Sequence, residues 1–142
     1  MSIIYTAEAL VSGNGRDGAG RTPDGRLDLA LAIPTEMGGS GNGTNPEQLF
    51  AIGYAACYHS ALRMIARQTD ADVTDSAVGA RVSLVQTAAG GVGLDVTLEV
   101  TLPHLSESQA KELADQAHQV CPYSNATRGN INVAILVSDT AD

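Results

Sequence analysis

Alternating apolar and polar positions predict five β-strands along the chain. In the clearest of them, Leu27, Leu29, Leu31 and Ile33 fall on one face of an extended segment, as in a half-buried strand. We expect the first two strands to form a hairpin across a long polar turn, and the next two to form a second hairpin. The predicted strands are Ile3–Val11, Arg26–Ile33, Val78–Val85, Leu94–Leu102 and Ile131–Val137.

A helix is predicted from Pro46 to about Gln68. Asn45 can cap it, Pro46 suits the first helical position, and Gln48 completes a capping-box pattern. Between Leu49 and Ile65 the helix is apolar nearly all round and rich in small residues, which predicts a buried helix that another backbone can approach closely.

A second helix is predicted after Ser106, with Gln109 at the capping-box position and an apolar stripe that ends at Cys121. Pro122 ends or kinks this helix, and a short helical turn follows it. The order β-β-α-β-β-α-β predicts an α+β fold, and the 142 residues are expected to form one domain.

The composition limits the partners of this chain. Its net charge of −8 argues against nucleic acid and acidic membranes as partners. Charged residues make up 17% of the chain, below the usual ~25%. Either part of the surface is buried against a partner, or alanine and glycine dilute the charges; the composition does not choose between these explanations.

The N-terminus lacks the basic start and apolar run of a signal peptide, and no stretch approaches the ~18 apolar residues of a membrane span. We therefore expect a cytoplasmic protein. A permanent disulfide is uncommon in that compartment, so a pair of cysteines there is often redox-active or metal-binding.

Two cysteines, Cys57 and Cys121, are the candidate reactive groups. Buried free cysteines are usually small apolar core residues, and these two meet only if the two helices pack together. The cysteines and three scattered histidines lack zinc-site spacing, and His59 lies on a different helical face from Cys57. The glycine-rich loop Gly38–Gly43 lacks the Lys and hydroxyl of a phosphate-binding loop.

Longer motifs surround both cysteines. Thr44-Asn45-Pro46-Glu47-Gln48-Leu49-Phe50, Gly53-Tyr54-Ala55-Ala56-Cys57 and the segment from Val120 through Cys121-Pro122-Tyr123-Ser124-Asn125-Ala126-Thr127-Arg128 to Asn130 resemble the organic hydroperoxide resistance branch of the OsmC/Ohr family. The turn Gly15-Arg16-Asp17-Gly18 is similar as well. The resemblance covers nearly the whole chain; Tyr58-His59 departs from the less polar residues usual there, which bears on the substrate pocket.

This resemblance implies a peroxidase that reduces alkyl and fatty-acid hydroperoxides to alcohols without a metal or other cofactor. Cys57 matches the cysteine that attacks the peroxide, and Cys121 matches the one that closes a disulfide with it. Arg16 matches the arginine that stabilises the thiolate, and Glu47 the acid that holds this arginine. Dihydrolipoamide or a lipoylated protein is the implied reductant.

The fold implied by the resemblance is OsmC-like, with antiparallel sheets around a long buried central helix and two chains intertwined as a homodimer. Ten helical residues separate Glu47 from Cys57, about 15 Å along a helix axis. One Arg16 cannot comfortably reach both, so we expect Arg16 and Glu47 to reach Cys57 from the partner subunit. Asn125 and Arg128 are expected to fix the turn after Cys121.

Two other functions stay open at the level of sequence. One is an OsmC-type peroxidase with a different peroxide preference. The other is a small-molecule-binding dimer whose cysteines are inert core residues.

Overall fold

The computed structural model describes residues 1–141, which divide into two compact units, Met1–Leu49 and the chain from Phe50 onward. Each unit contains a three-stranded sheet, and the helices follow groups of two or three strands along the chain, so the predicted α+β class is confirmed.

The sheet of the first unit is small and antiparallel, in the order β1-β2-β3. Its strands are β1 (Leu10–Ser12), β2 (Ala19–Arg21) and β3 (Asp28–Ala30). The predicted hairpin between the first two strands is wrong, because β2 lies between them and pairs with both. β2 has no apolar alternation, since it reads Ala-Gly-Arg, so its pairing rather than its own pattern defines it.

The residues before β1 do not lie in a strand within this chain. The predicted strand Ile3–Val11 is therefore correct only at its end, from Leu10. Ile3 and Ile4 are 84% and 99% exposed, and Tyr5 is 81% exposed. An apolar segment with this exposure is typical of a surface that another chain covers.

The sheet of the second unit has the order β4-β5-β6. Its strands are β4 (Ala77–Gln86), β5 (Val92–Thr101) and β6 (Val133–Ser138). β4 and β5 form the predicted hairpin, with Ala77 opposite Thr101, and Gly90 in the turn adopts φ +88°. β6 pairs with β5 in parallel, so the expected antiparallel arrangement is correct for β4 and β5 but wrong for β6.

The long helix α1 runs from Pro46 to Thr69. It is capped as predicted, since the Gln48 backbone N–H donates to Asn45 Oδ1 at 2.9 Å. The Gln48 side chain instead accepts a hydrogen bond from the Thr44 hydroxyl, at 2.6 Å.

Only one face of α1 is buried within this chain, and it carries Tyr54, Tyr58 and Leu62, all fully buried. The opposite face is exposed, with Ile52 at 70%. The prediction that α1 is buried on all sides is therefore correct for one face only, because the rest of this chain packs against that face alone.

Two further helices complete the second unit, α2 (Glu107–Val120) and α3 (Pro122–Thr127). The predicted capping box of α2 is confirmed, with the Ser106 side chain accepting from the Gln109 N–H. Residues of α1, α2 and β5 form one apolar core. Its fully buried members are Tyr54, Tyr58, Leu62, Val96, Leu98, Val100, Leu102, Ala110, Ala117 and Cys121.

Candidate active site

Cys57 lies on α1 and is partly buried, whereas Cys121 is fully buried at the junction of α2 and α3. Both are free thiols. Cys121 ends α2, with its N–H donating to the Ala117 carbonyl at 2.9 Å, and begins α3, with its carbonyl accepting from the Asn125 N–H at 2.9 Å. Pro122 cannot continue α2, so the chain turns at Cys121.

The two thiols are brought together across this junction. The Cys57 side chain interacts with the Cys121 side chain and with the backbone N–H of Tyr123. Burial raises the pKa of the Cys57 thiol, the Cys121 side chain raises it further, and the Tyr123 N–H lowers it. Because burial has the largest effect, Cys57 needs an additional positive charge to become a thiolate at neutral pH.

An ion pair between Arg16 and Glu47 lies in the first unit. The guanidinium faces the carboxylate with both terminal nitrogens, Nη2 at 2.9 Å from Oε1 and Nη1 at 3.1 Å from Oε2. The hydrogen bond to Glu47 raises the pKa of Arg16. Glu47 Oε1 is shielded from solvent, and its short contact with Nη2 lacks hydrogen-bond geometry, so this oxygen depends on charge attraction to Arg16.

A tight turn presents Arg16. Gly15 adopts φ +61°, and a Cβ on Gly18 would lie 2.1 Å from the Ser12 carbonyl oxygen, so this position accepts glycine alone. Asp17 Oδ1 accepts a hydrogen bond from the Ile33 N–H at 2.9 Å, which fastens the turn to the segment after β3. The turn Gly15–Gly18 therefore holds the backbone of Arg16 in a fixed position.

The segment after Cys121 is fixed as predicted by Asn125 and Arg128. Arg128 Nη1 donates to Asn125 Oδ1 at 2.9 Å, and Nη2 donates to the His118 carbonyl at 2.5 Å. These bonds connect α3 back to the last turn of α2, on both sides of Cys121.

Several polar residues were given no role from the sequence, although Tyr54 and Ser124 stand in the motifs that carry the family resemblance. Tyr54 and Ser124 are fully buried and hydrogen bonded to each other at 2.8 Å, and His118 also contacts Ser124. The Tyr58 hydroxyl donates to the Ala114 carbonyl at 2.6 Å, so this departure from the family pattern joins α1 to α2. Tyrosines in an apolar helix look like core residues, and only their partners show a polar role.

His59 is directed away from Cys57, as its helical position predicts, and its Nε2 lies 2.9 Å from Ser76 Oγ. Within residues 1–141, His, Cys, Asp and Glu side chains form no group of three that could hold a metal ion. No helix in this part of the chain is long and apolar enough to cross a membrane.

A mostly apolar cavity of about 470 Å³ lies beside the segment after Cys121. Tyr123, whose backbone contacts Cys57, is one of its walls. The lining residues are Phe50, Leu94, Pro122, Tyr123, Ala126, Thr127, Asn130 and Ile131.

The sequence of this chain matches a family of known proteins. Residues 39–135 match the model of the OsmC-like protein family. The chain is 44% identical to an organic hydroperoxide resistance protein of Xanthomonas axonopodis pv. citri, with 96% of each chain covered.

Solved structures agree with this match. A Legionella pneumophila structure described as an organic hydroperoxide resistance protein aligns with TM-score 0.91 and 46% identity, covering 96% of this chain and 99% of that one. The organic hydroperoxide resistance protein OhrB of Bacillus subtilis aligns with TM-score 0.87 and 40% identity, covering 96% and 100%. The chain belongs to the OsmC-like family, in its organic hydroperoxide resistance branch, and this membership supports a role in organic hydroperoxide resistance.

Proposed function

We propose that this chain is a thiol peroxidase that reduces organic hydroperoxides to alcohols. The observation that carries the proposal is the contact between the partly buried Cys57 thiol and the buried Cys121 thiol. Such a pair can give up two electrons to a peroxide and store the resulting oxidation as a disulfide. The names of the relatives point to organic hydroperoxides as the substrate class.

In the first step the Cys57 thiolate attacks the terminal oxygen of R–O–O–H. The O–O bond breaks, Cys57 becomes a sulfenic acid, and R–O⁻ takes up a proton and leaves as the alcohol. In the second step the Cys121 sulfur displaces the sulfenic hydroxyl, which leaves as water with the Cys121 proton, and a Cys57–Cys121 disulfide remains. Rapid closure protects Cys57 from over-oxidation.

A dithiol must then reduce the disulfide, and we propose a dihydrolipoyl group in that role. Exchange passes through a mixed disulfide and returns both cysteines to thiols, while the dithiol is oxidised to its cyclic disulfide. Either dihydrolipoamide or a lipoylated protein supplies this group. A reducing cytoplasm suits this cycle, and we keep that location as a prediction.

The thiolate of Cys57 calls for a fixed cation, and we propose Arg16, held by Glu47, from the partner subunit of a homodimer. A guanidinium retains its proton at any relevant pH, and its flat fork can bond a carboxylate and a sulfur together. Exposed apolar residues on the N-terminal segment and on α1 support a second copy as their cover; they are Ile3, Ile4, Tyr5 and Ile52.

The apolar cavity beside Tyr123 supports a substrate with a hydrocarbon tail. Its lining is predominantly apolar and its volume of about 470 Å³ is within the range of small-molecule sites. We propose that the alkyl chain of the hydroperoxide occupies it while the peroxide group faces Cys57.

Thiol titration tests the peroxidase directly. The reduced protein receives one equivalent of tert-butyl hydroperoxide, and free thiols are counted before and after. We expect both thiols per chain to be lost, Cys57→Ser to lose none, and Cys121→Ser to yield a sulfenic acid on Cys57. Unchanged thiols in the wild-type protein would instead favour the dimer with inert cysteines.

Turnover assays test the finer assignments. We expect steady turnover of several alkyl and fatty-acid hydroperoxides with dihydrolipoamide, and slow turnover with a thioredoxin system. A marked preference for hydrogen peroxide would favour the OsmC-type peroxidase of different specificity.

A further inference from the structure

A chain of hydrogen bonds, buried except at His118, connects the helix that carries Cys57 with both helices that flank Cys121. Tyr54 Oη lies 2.8 Å from Ser124 Oγ and 3.1 Å from Thr127 Oγ1, and His118 Nδ1 lies 2.7 Å from Ser124 Oγ. We call these four residues, Tyr54, His118, Ser124 and Thr127, the hydroxyl network.

The members of the hydroxyl network lie at regular spacing around the two cysteines. Tyr54 is three residues before Cys57 on α1, His118 is three before Cys121, and Ser124 is three after it. Residues three apart on a helix share a face. The network therefore binds α1 to the chain on both sides of the junction at Cys121.

Burial makes these bonds specific. Tyr54 and Ser124 are fully buried and Thr127 is 6% exposed, so water cannot easily replace a lost partner. An alternative position of α3 would leave these hydroxyls unpaired in an apolar core, which is costly. The network thus favours one position of α3 relative to α1.

One assignment of donors and acceptors satisfies every hydrogen bond of the network. The Thr127 hydroxyl donates to the Ser124 carbonyl at 3.3 Å. Tyr54 then donates to Thr127, and Ser124 donates to Tyr54. The remaining donor for Ser124 Oγ is His118, which requires the tautomer with its proton on Nδ1.

We propose that the hydroxyl network is a positioning device for the resolving step, holding Cys121 beside Cys57 so that the disulfide closes before the sulfenic acid is oxidised further. The inference rests on the proposed function. Closure requires the two Cα atoms to lie within about 7 Å, so a displaced junction would slow it. The attack of Cys57 on the peroxide does not involve Cys121, and we expect it to be insensitive to Tyr54 and Ser124, which are not among the residues that line the apolar cavity.

Stopped reactions with tert-butyl hydroperoxide separate the two steps. Loss of peroxide measures the rate of the attack. A dione probe that traps sulfenic acid measures the lifetime of the Cys57 sulfenic acid before Cys121 closes the disulfide. For Tyr54→Phe and for Ser124→Ala we expect attack rates within twofold of wild type. We expect closure to slow about tenfold, within the range that an ångström of misplacement costs, and sulfinic acid to accumulate.

Tyr58→Phe is the matched control. Tyr58 is equally buried on the same helix, and its hydroxyl bonds to Ala114 of α2 rather than to α3. We expect this variant to lose thermal stability comparably but to close its disulfide within threefold of wild type. Equal slowing in Tyr58→Phe and Tyr54→Phe would overturn the proposal, because general loosening of the core would then explain both.

A pair of gentler substitutions covers the case in which Tyr54→Phe fails to fold. Thr127→Ser keeps the hydroxyl and should close at the wild-type rate, whereas Thr127→Val keeps the shape and should slow closure. Equal closure rates in these two variants would count against the network. A wild-type protein that loses no thiols would overturn the proposed function instead.

Histidine tautomers give a second readout. Nitrogen chemical shifts of His118 should show the proton on Nδ1 in the reduced wild-type protein, and Ser124→Ala should shift the population toward Nε2. A proton held on Nε2 in the wild type would contradict the donor order of the network.

Discussion

At the residue scale, the chemistry depends on how a buried sulfur becomes an anion. The pKa of Cys57 is raised, chiefly by burial, and its neighbours on α3 offer one backbone N–H. Arg16 is already paired with Glu47 through both terminal nitrogens. The Glu47 carboxylate neutralises part of the charge of the Arg16 guanidinium. This lowers the free-energy cost of burying the guanidinium beside a thiolate.

Removal of the arginine charge should move the pH dependence of Cys57. In a Cys121→Ser background, Arg16→Met should raise the pKa of Cys57, so its alkylation by iodoacetamide becomes slower at pH 7 and shifts to higher pH. Each unit of the shift reduces the thiolate about tenfold below the pKa. Arg26→Met, which removes an exposed arginine charge near Asp24, is the control and should leave the profile unchanged. Coincident profiles for the two variants would exclude Arg16 as the cation.

At the element scale, local sequence signals determined the helix ends well and the short strands poorly. Asn45 and Ser106 cap α1 and α2 as their motifs predict, because these side chains satisfy N–H groups of the first turn. β2 was not predicted, because a strand of three residues is too short to show an alternation of apolar and polar positions. Its pairing with β1 and β3 defines it.

The capping box of α2 offers a test at this scale. Ser106→Ala removes the acceptor for the Gln109 N–H and should destabilise the protein by about 1 kcal/mol in urea unfolding. Ser108→Ala, at an exposed position two residues later, should change stability by less than about 0.5 kcal/mol. Since α2 leads into Cys121, equal effects of the two substitutions would show that the cap contributes little to this part of the fold.

At the scale of the whole molecule, the exposed apolar residues of the N-terminal segment and of α1 support the proposed second subunit. Heterodimers test it. One subunit carries Cys57→Ser with Arg16 intact, and the other carries Arg16→Ala with Cys57 intact. If Arg16 acts across the interface, one site in each heterodimer holds both native residues.

Activity should therefore return to about half the wild-type value per mixed dimer, although each parent homodimer is impaired. Turnover with dihydrolipoamide after co-expression and separation of the mixed dimer provides the measurement. A mixed dimer no more active than its parents would mean that Arg16 serves the cysteine of its own chain.

The sequence by itself determined the α+β class, the long helix, both helix caps and the hairpin of β4 and β5. These features depend on local periodicity, capping chemistry and motifs, all of which act within a few residues. The roles of Asn125 and Arg128 were also accessible, because their partners lie within ten residues.

Only the tertiary structure decided that Cys57 and Cys121, 64 residues apart in sequence, are neighbours, and that Tyr54 bonds to Ser124 and Thr127. It also showed that one face of α1 stays exposed in a single chain. Such contacts join segments that are distant in sequence. An apolar pattern predicts that a face is buried, but it does not identify the residues that pack against that face. A buried hydroxyl reveals its function only when its partner is known.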